Sequence, residues 1–191
     1  MLTFARYSAA LIFRPRATLR VLSTDSRRLT FGFASLLLLT AVYVLGLSVA
    51  IAGGRMPEDE TLLLRIPVER YYVYERVFLL PAAIGGTILA AGATRLTAHL
   101  WDGEGRFEDL FALLGFTQVV VPIFMGLPDL ILFFLVPERV VTFHVWPVTL
   151  WYLVLAVLCV REIERLSWGK SIVSALAGAL ATGALQFLIM R

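Results

Sequence analysis

Long apolar runs dominate this sequence of 191 residues and leave it few possible folds. A helix of about 20 apolar residues crosses the ~30 Å hydrocarbon core of a bilayer, and lipid allows only helices or closed barrels to span it. Hydrophobic residues make up 59% of the chain, against about 45–50% in soluble domains. The sequence therefore predicts an all-α polytopic membrane protein, a single membrane domain over residues 1–191 with five transmembrane helices. The predicted spans are about 31–53, 77–98, 110–136, 140–160 and 171–190.

The first thirty residues form a basic amphipathic segment. Apolar residues recur there at helical spacing, and Pro15 prevents one uninterrupted helix. We expect two short helices in the membrane interface, with apolar side chains toward lipid and guanidinium groups toward phosphates. The alternative is a basic tail that only sets topology. The candidate binding residues for lipid or protein partners are Arg6, Arg14, Arg16, Arg20, Arg27 and Arg28.

Arginine distribution predicts the orientation of the chain. With the N-terminus in the cytoplasm, the basic N-terminal segment, Arg95, Arg106 and the polar loop 161–170 all lie inside. The long loop 54–76 then lies outside, and its acids offset its arginines. The positive-inside rule therefore favours a cytoplasmic N-terminus and an external C-terminus.

The third apolar run is too long for one perpendicular crossing. Gly126 and Pro128 predict a break near its outer end, with a short helix starting at Pro128. Asp129 then lies in the first turn of that helix, where it either caps the break or belongs to a solute or proton pathway. His144 is expected at the outer interface, and pairing with Asp129 is one option for it.

Candidate catalytic and metal-binding sets are missing from the sequence. The acids of the loop 99–109 match no calcium loop, and Glu108 and Asp109 suit the first turn of the next helix. No intramembrane nucleophile with a base and no paired carboxylates are recognised. A single cysteine, Cys159, excludes an internal disulfide. We expect no enzyme activity, no cofactor, no metal and no nucleic-acid partner.

Three segments resemble the Yip-one (Ypt/Rab-interacting protein) domain family. They are LIFRPRATLRVL (11–22), with its Phe13-Arg14-Pro15, then GEGRFEDLFALLGFTQVVVP (103–122) and REIERLSWGKSIVSALAG (161–178). Eukaryotic members of that family bind Rab-type GTPases through a long cytosolic N-terminal region and act in traffic between endoplasmic reticulum and Golgi. This chain departs from them, because its first span begins near residue 31 and because Leu114-Gly115-Phe116-Thr117 replaces a tyrosine-glycine-tyrosine-type motif.

The short basic N-terminus resembles the bacterial-type branch of the family. That resemblance implies a location in the cell (bacterial inner) membrane. The expected function is that of a non-enzymatic scaffold or adaptor, which binds anionic headgroups at its cytosolic face and associates with copies of itself or with other membrane proteins. The alternative is a small-solute, ion or proton transporter or channel that uses the broken third span. Its candidate residues are Gly126, Pro128, Asp129 and His144.

Overall fold

The computed structural model describes residues 2–54, 66–135 and 138–189, and the regular structure in these ranges is entirely helical. This confirms the predicted all-α class. The elements are α1 (Leu2–Phe13), α2 (Pro15–Thr24), α3 (Arg28–Ala52), α4 (Val68–His99), α5 (Phe107–Thr117), a π-helical turn (Pro122–Gly126), α6 (Leu127–Leu135), α7 (Glu138–Glu164) and α8 (Trp168–Ile189).

Four helical segments of the described chain are long and apolar enough to cross a membrane. They are Arg28–Ala52, Glu69–His99, Phe107–Ile131 and Val145–Glu164. The fifth predicted span forms a helix, α8, which is not among these four. Large apolar side chains such as Leu45, Leu150 and Leu180 lie exposed on the outside of the helices, which suits a lipid environment. The chain is therefore a helical membrane protein, and its count of five spans stays a prediction.

Two helices extend furthest beyond their predicted bounds, α4 at its start and α7 at its end. Residues 68–76 were expected in a loop but form the first turns of α4, which starts directly after Pro67. Tyr71 is buried there, so packing within the protein contributes to this part of α4. Residues 161–164 were likewise expected in a loop but complete α7, which leaves only residues 165–167 between α7 and α8.

The helix of the third apolar run changes its winding before the predicted break. α5 ends at Thr117, and the N–H groups of Gln118 and Val119 each donate three residues back along the chain. The following π-helical turn is closed by the N–H of Leu127, which donates to the carbonyl of Pro122. α6 starts at Leu127 rather than at Pro128. The chain stays helical through this region because the wider π turn accommodates residues that lack a regular hydrogen bond.

α5 lies at the centre of the fold. In an apolar 18-residue stretch of Phe107–Ile131, 67% of the residues are buried, against 17% in the corresponding stretch of Arg28–Ala52. Glycines bring α3 and α5 into close contact, since a Cβ at Gly32 would lie 2.7 Å from the carbonyl oxygen of Ala112. Small residues at a crossing allow two helix backbones to approach, which is a common basis of helix packing in membranes.

The N-terminal helices α1 and α2 separate at Pro15, as predicted, and Pro15 occupies the first turn of α2. Most of their large apolar side chains pack on the protein, although Phe13 and Val21 are exposed. Leu11, Leu19 and Leu22 are fully buried, and the ring of Phe4 meets that of Phe116 edge-on at 5.9 Å. The prediction that these apolar side chains point into lipid is therefore wrong. Tertiary contacts with α3, α5 and α7 give them a protein surface to cover instead.

Candidate functional site

One end of the helix bundle gathers most of the charged side chains, and we call it the basic end. It is defined by the start of α3, the end of α4, the start of α5, the end of α7 and the start of α8, with α1 and α2 packed across it. The six predicted binding arginines all lie between the start of α1 and the first residue of α3, which is Arg28. The structure divides them into two groups of three.

The first group is engaged in ion pairs within the chain. Nε of Arg20 lies 3.0 Å from Oε1 of Glu162 in the last turn of α7. Nε of Arg28 lies 2.6 Å from Oδ1 of Asp109 in the first turn of α5. These two pairs attach the N-terminal segment to the bundle, so their arginines have a structural role that the sequence pattern did not distinguish.

Arg27 completes the first group and belongs to a local network with Asp25. Its backbone N–H and its side chain both donate to the Asp25 carboxylate. The side-chain hydrogen bonds from Arg27 hold the pKa of Asp25 below its ordinary value of 3.8, and the Tyr7 hydroxyl, which also donates to the carboxylate, adds to this effect. The Arg27 guanidinium also lies 5.2 Å from the centroid of the Phe31 ring. The network fixes the turn between α2 and α3.

The second group is Arg6, Arg14 and Arg16, which are exposed. No ion-pair partner for these three lies within the described ranges 2–54, 66–135 and 138–189. The side chain of Phe13, directly before Arg14, is 82% exposed, and Val21 of α2 is exposed as well. Exposed cations beside an exposed aromatic ring are typical of a helix surface that lies against lipid headgroups. We call Arg6, Phe13, Arg14 and Arg16 the outer basic face.

A buried ion pair joins α4 to α7 at the basic end. Nη1 of Arg95 lies 3.0 Å from Oε2 of Glu164, whose side chain is fully buried. The loop between α4 and α5, residues 100–106, contains Gly103 and Gly105 and closes over this pair. Arg95 Nη1 also donates to the carbonyl of Gly103, and the N–H of Gly105 donates to Oε2 of Glu164.

Sequence reasoning missed this site. It used Arg95 only to predict the orientation of the chain and placed Glu164 in a polar loop, whereas Glu164 is the last residue of α7 and binds Arg95. The two glycines were the available signal. A Cβ at Gly103 would lie 2.5 Å from Oε2 of Glu164, and one at Gly105 would lie 2.7 Å from its Cδ. Only glycine allows the loop to approach the carboxylate this closely.

A cavity of about 460 Å³ lies inside the bundle. Its wall is formed by α3, α4, α7 and α8 together with the segment from α5 through the π-helical turn. Nε2 of Gln118 donates to the hydroxyl of Tyr152 across this space, at 3.0 Å. The Gln118–Tyr152 contact was not anticipated from the sequence, because it depends on the winding change after Thr117.

The residues of the predicted break lie close to the cavity but do not form a set of ligands. Gly126 is buried, and a Cβ there would lie 2.5 Å from Cγ1 of Val42, so close packing on α3 explains the glycine. Pro128 and Asp129 lie in the first turn of α6. His144 lies in α7, and its side chain is outside the described residues. The described part of the chain contains no group of three metal-binding side chains.

Several apolar helices, a charged end and an internal cavity define the class as a polytopic helical membrane protein. The family model of the Yip1 domain matches residues 9–190. The chain therefore belongs to the Yip1 domain family, as the three sequence segments indicated. No match was found among curated proteins or among solved structures.

Proposed function

We propose that this protein is a non-enzymatic membrane scaffold whose outer basic face binds anionic lipid headgroups. The observation that carries the proposal is the division of the six arginines. Arg20, Arg27 and Arg28 are held in ion pairs, whereas the exposed arginines of the outer basic face, near Phe13, have no ion-pair partner among the described residues. Exposed guanidinium groups suit phosphate, because their planar donors bind its oxygens in pairs.

The orientation of the chain follows from the same proposal. Anionic lipids give the cytoplasmic leaflet a negative surface potential, which attracts basic segments that lie at the membrane surface. The basic end then faces the cytoplasm of a bacterial cell, the N-terminus lies inside and, with five spans, the C-terminus lies outside. The scaffold role consists of presenting this lipid-bound face to other membrane proteins or to further copies of the chain.

The test compares two variants with the same loss of charge. The first replaces the three exposed arginines, as Arg6→Gln, Arg14→Gln and Arg16→Gln. The control replaces three exposed cations elsewhere, as Arg106→Gln, Arg165→Gln and Lys170→Gln. Binding of phosphatidylglycerol and of phosphatidylcholine to the delipidated protein is then measured by native mass spectrometry at low ionic strength.

We expect the first variant to lose most of its preference for phosphatidylglycerol. Each basic residue at an anionic surface contributes roughly 1 kcal/mol, so three correspond to about a hundredfold in affinity. The control should stay close to the unmodified protein. Equal phosphatidylglycerol binding by the two variants would contradict the lipid-docking role.

The transporter alternative has one observation in its favour. The π-helical turn Pro122–Gly126 ends three residues before Asp129 and contributes Met125 to the cavity wall, and π turns occur frequently at functional sites. Proton and small-ion flux in proteoliposomes, compared between the unmodified protein and Asp129→Asn, tests it. Flux that is lost in a folded Asp129→Asn protein would favour transport over the scaffold, and absence of flux in both would leave the scaffold proposal in place.

A further inference from the structure

The internal cavity has the dimensions of a ligand site within the membrane. Its volume of about 460 Å³ falls in the range of about 300–1,000 Å³ that is common for small-molecule sites. Side chains from four long helices and from the π-helical turn meet at it. The cavity is partly open, and Thr149, Gly183 and Gln186 on its wall are exposed. A ligand therefore has a way in.

The cavity is elongated along the helix axes. On α8 its wall runs from Ala175 to Gln186, which corresponds to roughly 16 Å at a rise of about 1.5 Å per residue. On α4 it runs from Leu79 to Thr94, or roughly 22 Å by the same rise. One leaflet contributes about half of the ~30 Å hydrocarbon core. The cavity is therefore about as long as one leaflet along α8 and longer along α4, which is sufficient for one lipid acyl chain.

Four of the eight polar side chains on the wall form hydrogen bonds within the protein. The hydroxyl of Thr87 donates to the carbonyl of Ala83, and that of Thr182 lies 3.0 Å from the carbonyl of Gly86. The Gln118 amide is bonded to Tyr152. No charged side chain is found on the wall within the described ranges. A chain of water or a hydrated ion needs polar partners along its path, whereas an alkyl chain needs none.

We propose that this cavity binds one acyl chain of a membrane phospholipid. The occupant fills apolar space that would otherwise lack contact atoms, so dispersion and exclusion from water both favour it. The site differs from the outer basic face because it takes the hydrocarbon part of the lipid and is indifferent to headgroup charge. It therefore gives the chain a second means of holding lipid, inside the bundle.

The experiment uses a zwitterionic probe, so that headgroup binding by arginine does not contribute. Phosphatidylcholine that carries a diazirine near the end of one acyl chain is incorporated with the full-length protein into nanodiscs and irradiated. Labelled residues are then located by peptide mass spectrometry. We expect labels on cavity residues, with Met125, Leu79 and Tyr152 as the diagnostic positions.

Filling the cavity should abolish this labelling. Gly183 lies on the cavity wall, and a Cβ there would meet no atom within 4 Å. Gly183→Leu is therefore expected to reduce labelling of the diagnostic positions about tenfold, the equivalent of ~1.4 kcal/mol of binding free energy. Gly85→Leu is the matched control, because a Cβ at Gly85 also meets no atom within 4 Å but Gly85 is not part of the wall. Ala83→Phe, also on the wall, serves if Gly183→Leu does not fold.

Two outcomes would overturn the proposal. One is labelling confined to outer apolar residues such as Leu37 and Leu180. The other is labelling of the diagnostic positions that is the same in Gly183→Leu, Ala83→Phe and Gly85→Leu. None of these results depends on the outer basic face, so the two proposals fail separately.

Discussion

Nη1 of Arg95 and Oε2 of Glu164 lie 3.0 Å apart and connect the end of α4 to the last residue of α7. The Glu164 side chain is fully buried, while that of Arg95 is 27% exposed. Arg95 Nη1 also donates to the carbonyl of Gly103, and the N–H of Gly105 donates to Glu164 Oε2. The Glu164 carboxylate therefore holds together the end of α4, the loop that follows it and the end of α7.

Replacement of Glu164 should therefore be costly. Glu164→Ala leaves the Arg95 guanidinium and the Gly105 N–H without this acceptor, and we expect a loss of about 3 kcal/mol of unfolding free energy, the lower end of the range for breaking a buried pair. Glu104→Ala is the control, because Glu104 and its partner Arg165 are both mostly exposed and such pairs contribute ~1 kcal/mol or less. Unfolding in mixed micelles of increasing dodecyl sulfate fraction measures both. A loss of equal size in the two variants would mean that the buried pair has no special weight.

Gly105→Ala should destabilise the loop without removing any charge. The added Cβ would lie 2.6 Å from Cγ2 of Ile163 and 2.7 Å from Cδ of Glu164, and overpacking of this kind costs about 1–3 kcal/mol. Gly169→Ala is the control, because it measures the effect of a glycine-to-alanine change at a position without a steric clash. No atom lies within 4 Å of a Cβ at Gly169 in α8, and alanine favours a helix, so its melting temperature should be unchanged or slightly higher. Equal melting temperatures for Gly105→Ala and the unmodified protein would count against the close fit of the loop.

Gly126→Ala should disturb the contact between the π-helical turn and α3. Its Cβ would lie 2.5 Å from Cγ1 of Val42. Because the contact is with a single branched side chain, Val42→Ala should partly restore the stability of Gly126→Ala, with a coupling energy of about 1 kcal/mol in a double-mutant cycle. Additive losses in that cycle would place the effect elsewhere, for example in the hydrogen bonding of the π turn.

Asp25 should make stability depend on pH at the acid end. Hydrogen bonds from Arg27 lower its pKa below 3.8 in the folded protein. The unfolded chain then binds the proton first, so the contribution of Asp25 is complete above about pH 3.8 and is lost as the pH falls through the lower folded-state pKa. The difference in stability between the unmodified protein and Asp25→Asn, followed by chemical unfolding from pH 5 to pH 2, should therefore shrink toward low pH. A difference that stays constant over this interval would show that the carboxylate charge is not the cause.

The membrane class and the positions of most helices could be predicted from the sequence, because apolar runs and proline act locally. Pro15 separates α1 from α2 whatever surrounds it, since its ring fixes one dihedral and it has no N–H. The extension of α4 back to Val68 was less accessible. Residues 68–76 are rich in charge and tyrosine, and their helix depends on packing that is distant in the sequence.

The candidate sites show the same limit more strongly. All six arginines of the N-terminal segment look alike in the sequence, yet Glu162 of α7 and Asp109 of α5 select Arg20 and Arg28 as structural partners. The identity of those partners depends on which helix ends meet, and hydrophobic periodicity carries no information about that. The cavity and the Gln118–Tyr152 contact are hidden for the same reason, since five separate segments surround them.

The sequence by itself determined that this chain is a helical membrane protein with a basic N-terminal segment. The reason is that the length and composition of an apolar run determine whether a helix is stable in lipid or in water. Only the tertiary structure decided that the apolar face of that segment covers the bundle, that Glu164 is the acceptor of Arg95, and that Arg6, Arg14 and Arg16 stay exposed. Those features depend on which helix ends, far apart in the chain, come together. A charge that becomes buried at such a place is stable only when it has a partner of opposite charge.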